Sequence, residues 1–352
     1  MEKEKNKINE TIMSNSQTLE YYNNVTRSII NQTPTDLGDT DYKLEKEAHI
    51  FVKKAEHKLR KRCCLFTLFS SKQERFTIAC EYYRKAGNIF KVCNQWRKAG
   101  LCYENCALIK IKLKEKPTNF YRQAYNCFEK IDIDDKHEKI LKDFNDYLEK
   151  GKEYFEIGKN YENLAVNKEN KKKYSEAIAN YTQAIIYYEK DGKNRELKNN
   201  LQLKLAELMM STNDPDAPKK VPALLENVGV SYLNDSINKN ASKDCFGKAI
   251  LCNIYFEDNP AKANVYINKY KAVDKTFGET NICKLCCDIV NSMENNDYSK
   301  LNTSILHYKE VEEVDEFMAE ILDKIIEKAK IKYNIRESLS YEKSYTSRDE
   351  EK

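Results

Sequence analysis

Between Phe76 and Glu104 the chain reads FTIACEYYRKAGNIFKVCNQWRKAGLCYE. Ala79, Tyr83, Ala86 and Phe90 recur at steps of four, three and four residues. That spacing places all four on one stripe of an α-helix. Small side chains alternate with rings, so a neighbouring helix can approach at the alanines and be gripped by the aromatics. The pattern restarts at Trp96, Ala99, Tyr103 and Ala107, and returns at Ala177, Tyr181, Ala184 and Tyr188. A recurring helical hairpin with small-and-aromatic stripes is the signature of tetratricopeptide-like repeats. It predicts an all-α protein, a right-handed α-solenoid of antiparallel helical hairpins.

Composition agrees. Only 9 glycines and 6 prolines interrupt 352 residues, and 33% of the chain is charged. Breakers this sparse favour long helices. The net charge of +4 predicts no polyanionic partner by itself, although opposite charges can still segregate to opposite sides. Nucleic acid is not expected, because an RNA-binding repeat would need basic residues interleaved with exposed rings. No run of about 18 apolar residues exists to span a membrane, and Met1–Glu10 lacks the apolar core of a secretory signal.

Taken in order, residues 1–41 read as a polar tail broken by Pro34 and Gly38, with a short helix near Leu19–Ile30. The first firm helix begins near Tyr42. Helical hairpins follow through residue 255, and further helices fill residues 256–335. A helix is expected from about His137 to Ile157, and a loop within Tyr161–Lys173. Ser211–Pro222, with Pro215, Pro218 and Pro222, is the clearest break. Residues 336–352 are charged and apolar-poor, a second tail.

The apolar loop 63–72 is the most informative non-helical stretch. Leu65, Phe66, Leu68 and Phe69 crowd into five positions, flanked by Arg60, Lys61, Arg62 and Lys72. One reading is a turn whose rings fold back onto the first hairpin. The other is a loop that dips into lipid while its cations meet anionic headgroups.

Chemistry is hard to place. There is no glycine-rich phosphate loop, no GxSxG and no HExxH. Acidic residues lie among lysines on solvated faces, so the chain reads as a scaffold rather than an enzyme, with no cofactor. Twelve cysteines fall mostly at apolar helical positions, as reduced core thiols do. Cys283-Lys-Leu-Cys286-Cys287 holds one CxxC, but none of the four histidines supplies an obvious second ligand pair, so no metal is expected.

Several segments carry a family resemblance. They are Ala55-Glu56-His57-Lys58, Leu65–Lys72, Ala79-Cys80-Glu81-Tyr82-Tyr83 through Lys91, Gln95–Gly100 and Phe120–Asp132. Ser175–Ile178, Ala241–Phe246, Lys248–Cys252 and Asp258–Tyr308 continue it. In that order the chain resembles the alpha-type soluble NSF attachment proteins, adaptors between SNARE bundles and the N-ethylmaleimide-sensitive fusion ATPase. Leu164–Lys173 departs from the family pattern and reads as an insertion. The resemblance implies a twisted solenoid, ending in a small C-terminal helical bundle over residues 256–335, that binds an assembled SNARE four-helix bundle. It also implies recruitment and stimulation of a hexameric AAA+ ATPase for SNARE disassembly in vesicle trafficking and membrane fusion. The protein would then lie in the cytoplasm, peripherally associated with membranes.

On this reading Lys91, Arg97, Lys98, Arg195, Lys198, Lys204, Lys239 and Lys243 are the candidate SNARE-binding cations. Leu65, Phe66, Leu68 and Phe69 are the membrane-contacting residues, since the resemblance tips the loop towards lipid. Glu337 and Leu339 are the nearest counterparts of the family's ATPase-contacting end. The alternative is a generic tetratricopeptide-like peptide-binding scaffold or chaperone cofactor.

Overall fold

In the computed structural model, residues 39–60, 71–131, 134–235 and 237–333 are described. Among them there are fourteen α-helices and no strand. They fall into two compact units that divide after Lys152.

The first unit holds α1 (Asp39–Leu59), α2 (Lys72–Val92), α3 (Trp96–Lys112), α4 (Thr118–Glu129) and α5 (Asp134–Lys150). Each packs against the next in the chain, the nearest-neighbour pattern of a repeat solenoid. Ser71 caps α2, its hydroxyl accepting from the Glu74 N–H at 3.0 Å. The stripe Ala79, Tyr83, Ala86 and Phe90 is wholly buried. α3 passes so close to α4 that a Cβ on Gly100 would sit 2.7 Å from the Phe128 ring.

The second unit begins with α6 (Tyr154–Asn170), α7 (Tyr174–Asp191), α8 (Arg195–Ser211), α9 (Ala217–Leu233) and α10 (Ala241–Glu257). It continues through α11 (Pro260–Val273), α12 (Asn281–Glu294), α13 (Tyr298–Val311) and α14 (Glu316–Lys332). One continuous apolar core runs from Ala165 on α6 to Ala329 on α14. Ala177, Tyr181, Ala184 and Tyr188 are buried in it as their spacing requires. The later helices fold back: α14 packs against α10. Buried Lys248 on α10 clips this contact, reaching Asp244 at 2.6 Å and Asp315, the N-cap of α14. Burial pulls the Lys248 ammonium down, but the two carboxylates outweigh it and hold its pKa above the ordinary value.

The hairpin turns explain how so few glycines suffice. Two residues beyond the ends of α2, α3, α6, α8 and α12 stand Asn94, Lys114, Lys172, Asn213 and Asn296, with φ between 50° and 59°. In each turn that residue's N–H bonds the carbonyl three back, and the next N–H bonds the carbonyl five back, at 2.8–3.3 Å. This is the Schellman closure, with asparagine or lysine where glycine is usual. In three of these turns the next helix then opens on an aromatic ring one residue after the closure, at Gln95-Trp96, Lys173-Tyr174 and Asp297-Tyr298.

Three expectations change. The helix read from His137 to Ile157 is two helices, because Lys152 turns left-handed at φ 57° and ends α5. The loop expected within Tyr161–Lys173 is the regular second half of α6. Leu164 and Ala165 are buried there, and the lysine run 171–173 forms the closing turn. The proline-rich break is shorter than it reads. Pro218 lies in the first turn of α9, where its missing N–H costs nothing, and Pro222 sits inside the helix with its ring buried.

A left-handed lysine bears a steric cost that glycine avoids. Lys172→Gly should therefore stabilise the chain by about 0.5–1 kcal/mol. A thermal melt should show a raised midpoint; a lowered one would mean the lysine is held by other contacts.

Candidate functional site

The eight candidate cations separate by environment. In the first unit, Lys91 ends α2 and Arg97 opens α3, so both flank the turn at Cys93–Gln95; both are exposed. Among the described residues neither has a carboxylate within ion-pair distance. Sequence reading missed an exposed neighbour, Lys130, whose ammonium stands 5.3 Å from the centroid of the Trp96 ring.

Lys98 does not belong with them. It is 1% exposed, and its ammonium pairs with the buried Glu45 carboxylate of α1. The Phe90 ring lies 5.8 Å from the same ammonium, and His49 approaches Glu45 at 3.6 Å. Burial, then the Lys98 charge, lowers the His49 pKa. Lys98 thus ties α3 to α1 and offers nothing to a partner. The sequence signalled the burial of each residue, though not their pairing. Glu45 falls on the stripe of Ala48, Val52 and Ala55, and Lys98 stands four residues before buried Cys102.

In the second unit, Arg195 at the start of α8 pairs with Asp235 at 3.3 Å, and half-buried Lys198 pairs with Glu189 at 3.6 Å. Lys239 is exposed in the turn before α10, and Lys243 is half-buried in the first turn of α10. Neither has an ion-pair partner among the described residues. α8 and α9 run antiparallel, joined by Arg195–Asp235 and by Asn199 Nδ2 donating to Ser231 Oγ at 2.8 Å. The start of α8, the end of α9 and the start of α10 therefore share one edge. Lys204 is spent elsewhere. It holds Glu169 of α6 at 2.9 Å, and the Tyr181 hydroxyl donates to the same carboxylate at 2.6 Å. Burial would raise Glu169, but those two donors hold it below the ordinary carboxylate value.

Leu65, Phe66, Leu68, Phe69, Glu337 and Leu339 lie outside the described residues, as do the tail through residue 38 and the helix read near Leu19–Ile30. Among the described residues no cluster of His, Cys, Asp or Glu is placed to hold a metal, and no helix is long and apolar enough to cross a membrane.

What the two units define is an all-α repeat scaffold in which four of the eight candidate cations, Lys91, Arg97, Lys239 and Lys243, lie at or beside hairpin turns. Comparison with known families goes further. The model of the soluble NSF attachment protein family matches residues 46–331. The chain is 28% identical to a vesicular-fusion protein of Komagataella phaffii over 295 residues, 83% of this chain and 96% of that one. It is 25% identical to the human alpha-soluble NSF attachment protein over 283 residues, 80% and 94% of the two chains. The bovine beta-soluble NSF attachment protein matches at 24% over 80% of this chain and 93% of its own length. The chain belongs to the soluble NSF attachment protein family, whose members are non-enzymatic adaptors.

Removing one partner of a buried ion pair strands the other charge. Lys98→Ala should cost about 3–5 kcal/mol, whereas Glu45→Met with Lys98→Met should come close to neutral. Urea unfolding of both variants checks this. Equal losses would show that the pair is not acting as a unit.

Proposed function

We propose that this protein is an adaptor that binds assembled SNARE bundles and recruits a hexameric fusion ATPase to take them apart. The observation that carries the reading is the family match across residues 46–331, joined by relatives named for vesicular fusion and for NSF attachment. The surface chemistry supports it. Each unit carries an exposed or half-exposed cation pair with no acidic partner among the described residues, Lys91 with Arg97 and Lys239 with Lys243. Helical bundles with acidic exteriors are complementary to such pairs. Arg195 and Lys198 sit beside the second pair and can exchange their internal carboxylates for those of a bundle.

Exposed charge contacts contribute about 0.2–1 kcal/mol each. Single substitutions should be mild. Reversal of Lys91, Arg97, Lys239 and Lys243 to Glu should weaken capture on an immobilised SNARE bundle at least tenfold, and added salt should weaken the native chain in the same direction. A quadruple variant that binds like the native chain would remove these residues from the contact.

Residues Leu65, Phe66, Leu68 and Phe69 are assigned to a membrane surface in this proposal, and Glu337 with Leu339 to the ATPase. Partial insertion of four apolar side chains contributes roughly 3–6 kcal/mol, too little to hold the protein on a bilayer alone. It adds avidity once the chain is bound to a SNARE anchored in the same bilayer. Phe66→Ser with Phe69→Ser should spare capture of lipid-free bundles and slow disassembly on liposomes. Truncation before Arg336 should spare capture and reduce ATP turnover. A double variant that melts well below the native chain would instead show that the rings pack against the first hairpin.

A further inference from the structure

Nine of the ten described cysteines are buried, and Cys287 is the exception. It lies on α12, one turn beyond buried Cys283, so the two thiols fall on one face of the helix. From α11, the Lys271 ammonium reaches the same sulfur at 3.8 Å. Lys271 is held there. Its methylenes run past Gly278, in the 3-10 turn Lys275–Glu279, at 3.7–3.8 Å from where a Cβ on that glycine would stand. Cys287 thus combines access to solvent, a cation at 3.8 Å and a second thiol one helical turn away. No other described cysteine has all three. Cys80 and Cys106 also contact each other, through one another's carbonyls, but both are sealed in the core.

We propose that Cys287 is a hydroperoxide-reactive thiol, with Cys283 as its resolving partner and Lys271 as the positioning cation. The site is independent of the adaptor reading and uses none of its residues. In the first step the Cys287 thiolate attacks one peroxide oxygen. An S–O bond forms, the O–O bond breaks, and the departing oxygen takes a proton and leaves as water, or as the alcohol of an organic peroxide. Sulfur is oxidised by two electrons and the peroxide is reduced. In the second step the Cys283 sulfur attacks the sulfenic acid. An S–S bond forms, the S–O bond breaks, and the hydroxide leaves with the Cys283 proton as water. Four residues along a helix separate Cα atoms by roughly 6 Å, but leave Cβ atoms about 5–6 Å apart, wider than the roughly 3.5–4.5 Å of a disulfide, so the bond closes as the first turn of α12, which holds Cys283, opens.

The charges around the sulfur favour this chemistry. The hydrogen bond from Cys283 is the largest influence and the Lys271 ammonium adds to it. Burial and Asp288, the next residue, oppose them, and the balance brings Cys287 down to about 6. The same pairing, and then burial, pushes Cys283 up, so it keeps its proton until the second step. On the other side of α12, Tyr308 of α13 faces Cys286 and Asp244 of α10, and its hydroxyl is held protonated by burial. A thiolate present at neutral pH is what peroxides and alkylating agents attack.

The test uses the full chain with Cys63 and Cys64, which lie outside the described residues, replaced by serine. It is treated with hydrogen peroxide, blocked with iodoacetamide and mapped by peptide mass spectrometry. The expected product is a Cys283–Cys287 disulfide formed before any other cysteine is modified. Cys283→Ser should stop at a dimedone-reactive sulfenic acid on Cys287. Lys271→Met, which keeps the stem against Gly278, should slow the first step about tenfold near neutral pH. One measurement needs no variant at these positions. The rate of Cys287 alkylation should be flat from pH 7 to pH 9 and fall below about pH 6. A rate that climbs tenfold per pH unit over that range, as an ordinary thiol's does, would overturn the proposal. So would oxidation of Cys287 no faster than that of the buried cysteines.

Discussion

The structure depends on one contact repeated along the chain: an aromatic ring set against a small residue of a neighbouring helix. A Cβ on Gly158 of α6 would lie 2.7 Å from the Tyr188 ring of α7, and one on Gly229 of α9 would lie 2.6 Å from Phe246 of α10. The rings fill the space that a side chain would have taken, so the helix axes come close and the rings are buried. Each such ring contributes about 1.5–3 kcal/mol through burial. The glycine that admits it costs its helix about 1 kcal/mol relative to alanine, and the gain outweighs that cost. The ring also fixes register. Phe246 stacks on Tyr270 of α11 at 4.6 Å and meets Phe277 edge-on at 6.2 Å, so one side chain ties together α9, α10, α11 and the turn that follows.

That contact was the most legible thing in the sequence. The alternation of alanine with tyrosine or phenylalanine at helical spacing identified both the fold class and the buried residues of α2 and α7. What was illegible lay where a residue stands in for the usual one. Helix ends are read from glycine, and here lysine or asparagine adopts the left-handed turn, so the boundary at Lys152 and the closure at Lys172 were missed. Proline reads as a break, yet Pro222 is carried inside α9 because the core covers its ring. A helical stripe also hides the sign of its charges. Lys98 looked like a surface cation on a family-like segment. Only contact between α1 and α3, distant in sequence, reveals Glu45 as its partner.

The same distinction organises the candidate surface. Lys98, Lys204 and Lys248 are engaged inside their units, where each joins helices that burial has already brought together. Lys91, Arg97, Lys239 and Lys243 stand at hairpin turns, which a repeat protein leaves free because each helix is covered only by its neighbours. Turns can therefore carry charge without disturbing the core. An adaptor needs that separation: a packed core within each unit, and turns whose charge can be set by the partner.

The central claim is that the chain couples a SNARE bundle to an ATPase. The most direct measurement immobilises an assembled SNARE four-helix bundle and adds the hexameric ATPase with and without this protein. The ATPase should be retained only when the chain is present, and ATP hydrolysis should then release the SNAREs as separate chains. Retention of the ATPase in the chain's absence, or a bundle that survives ATP with all three components bound, would contradict the account.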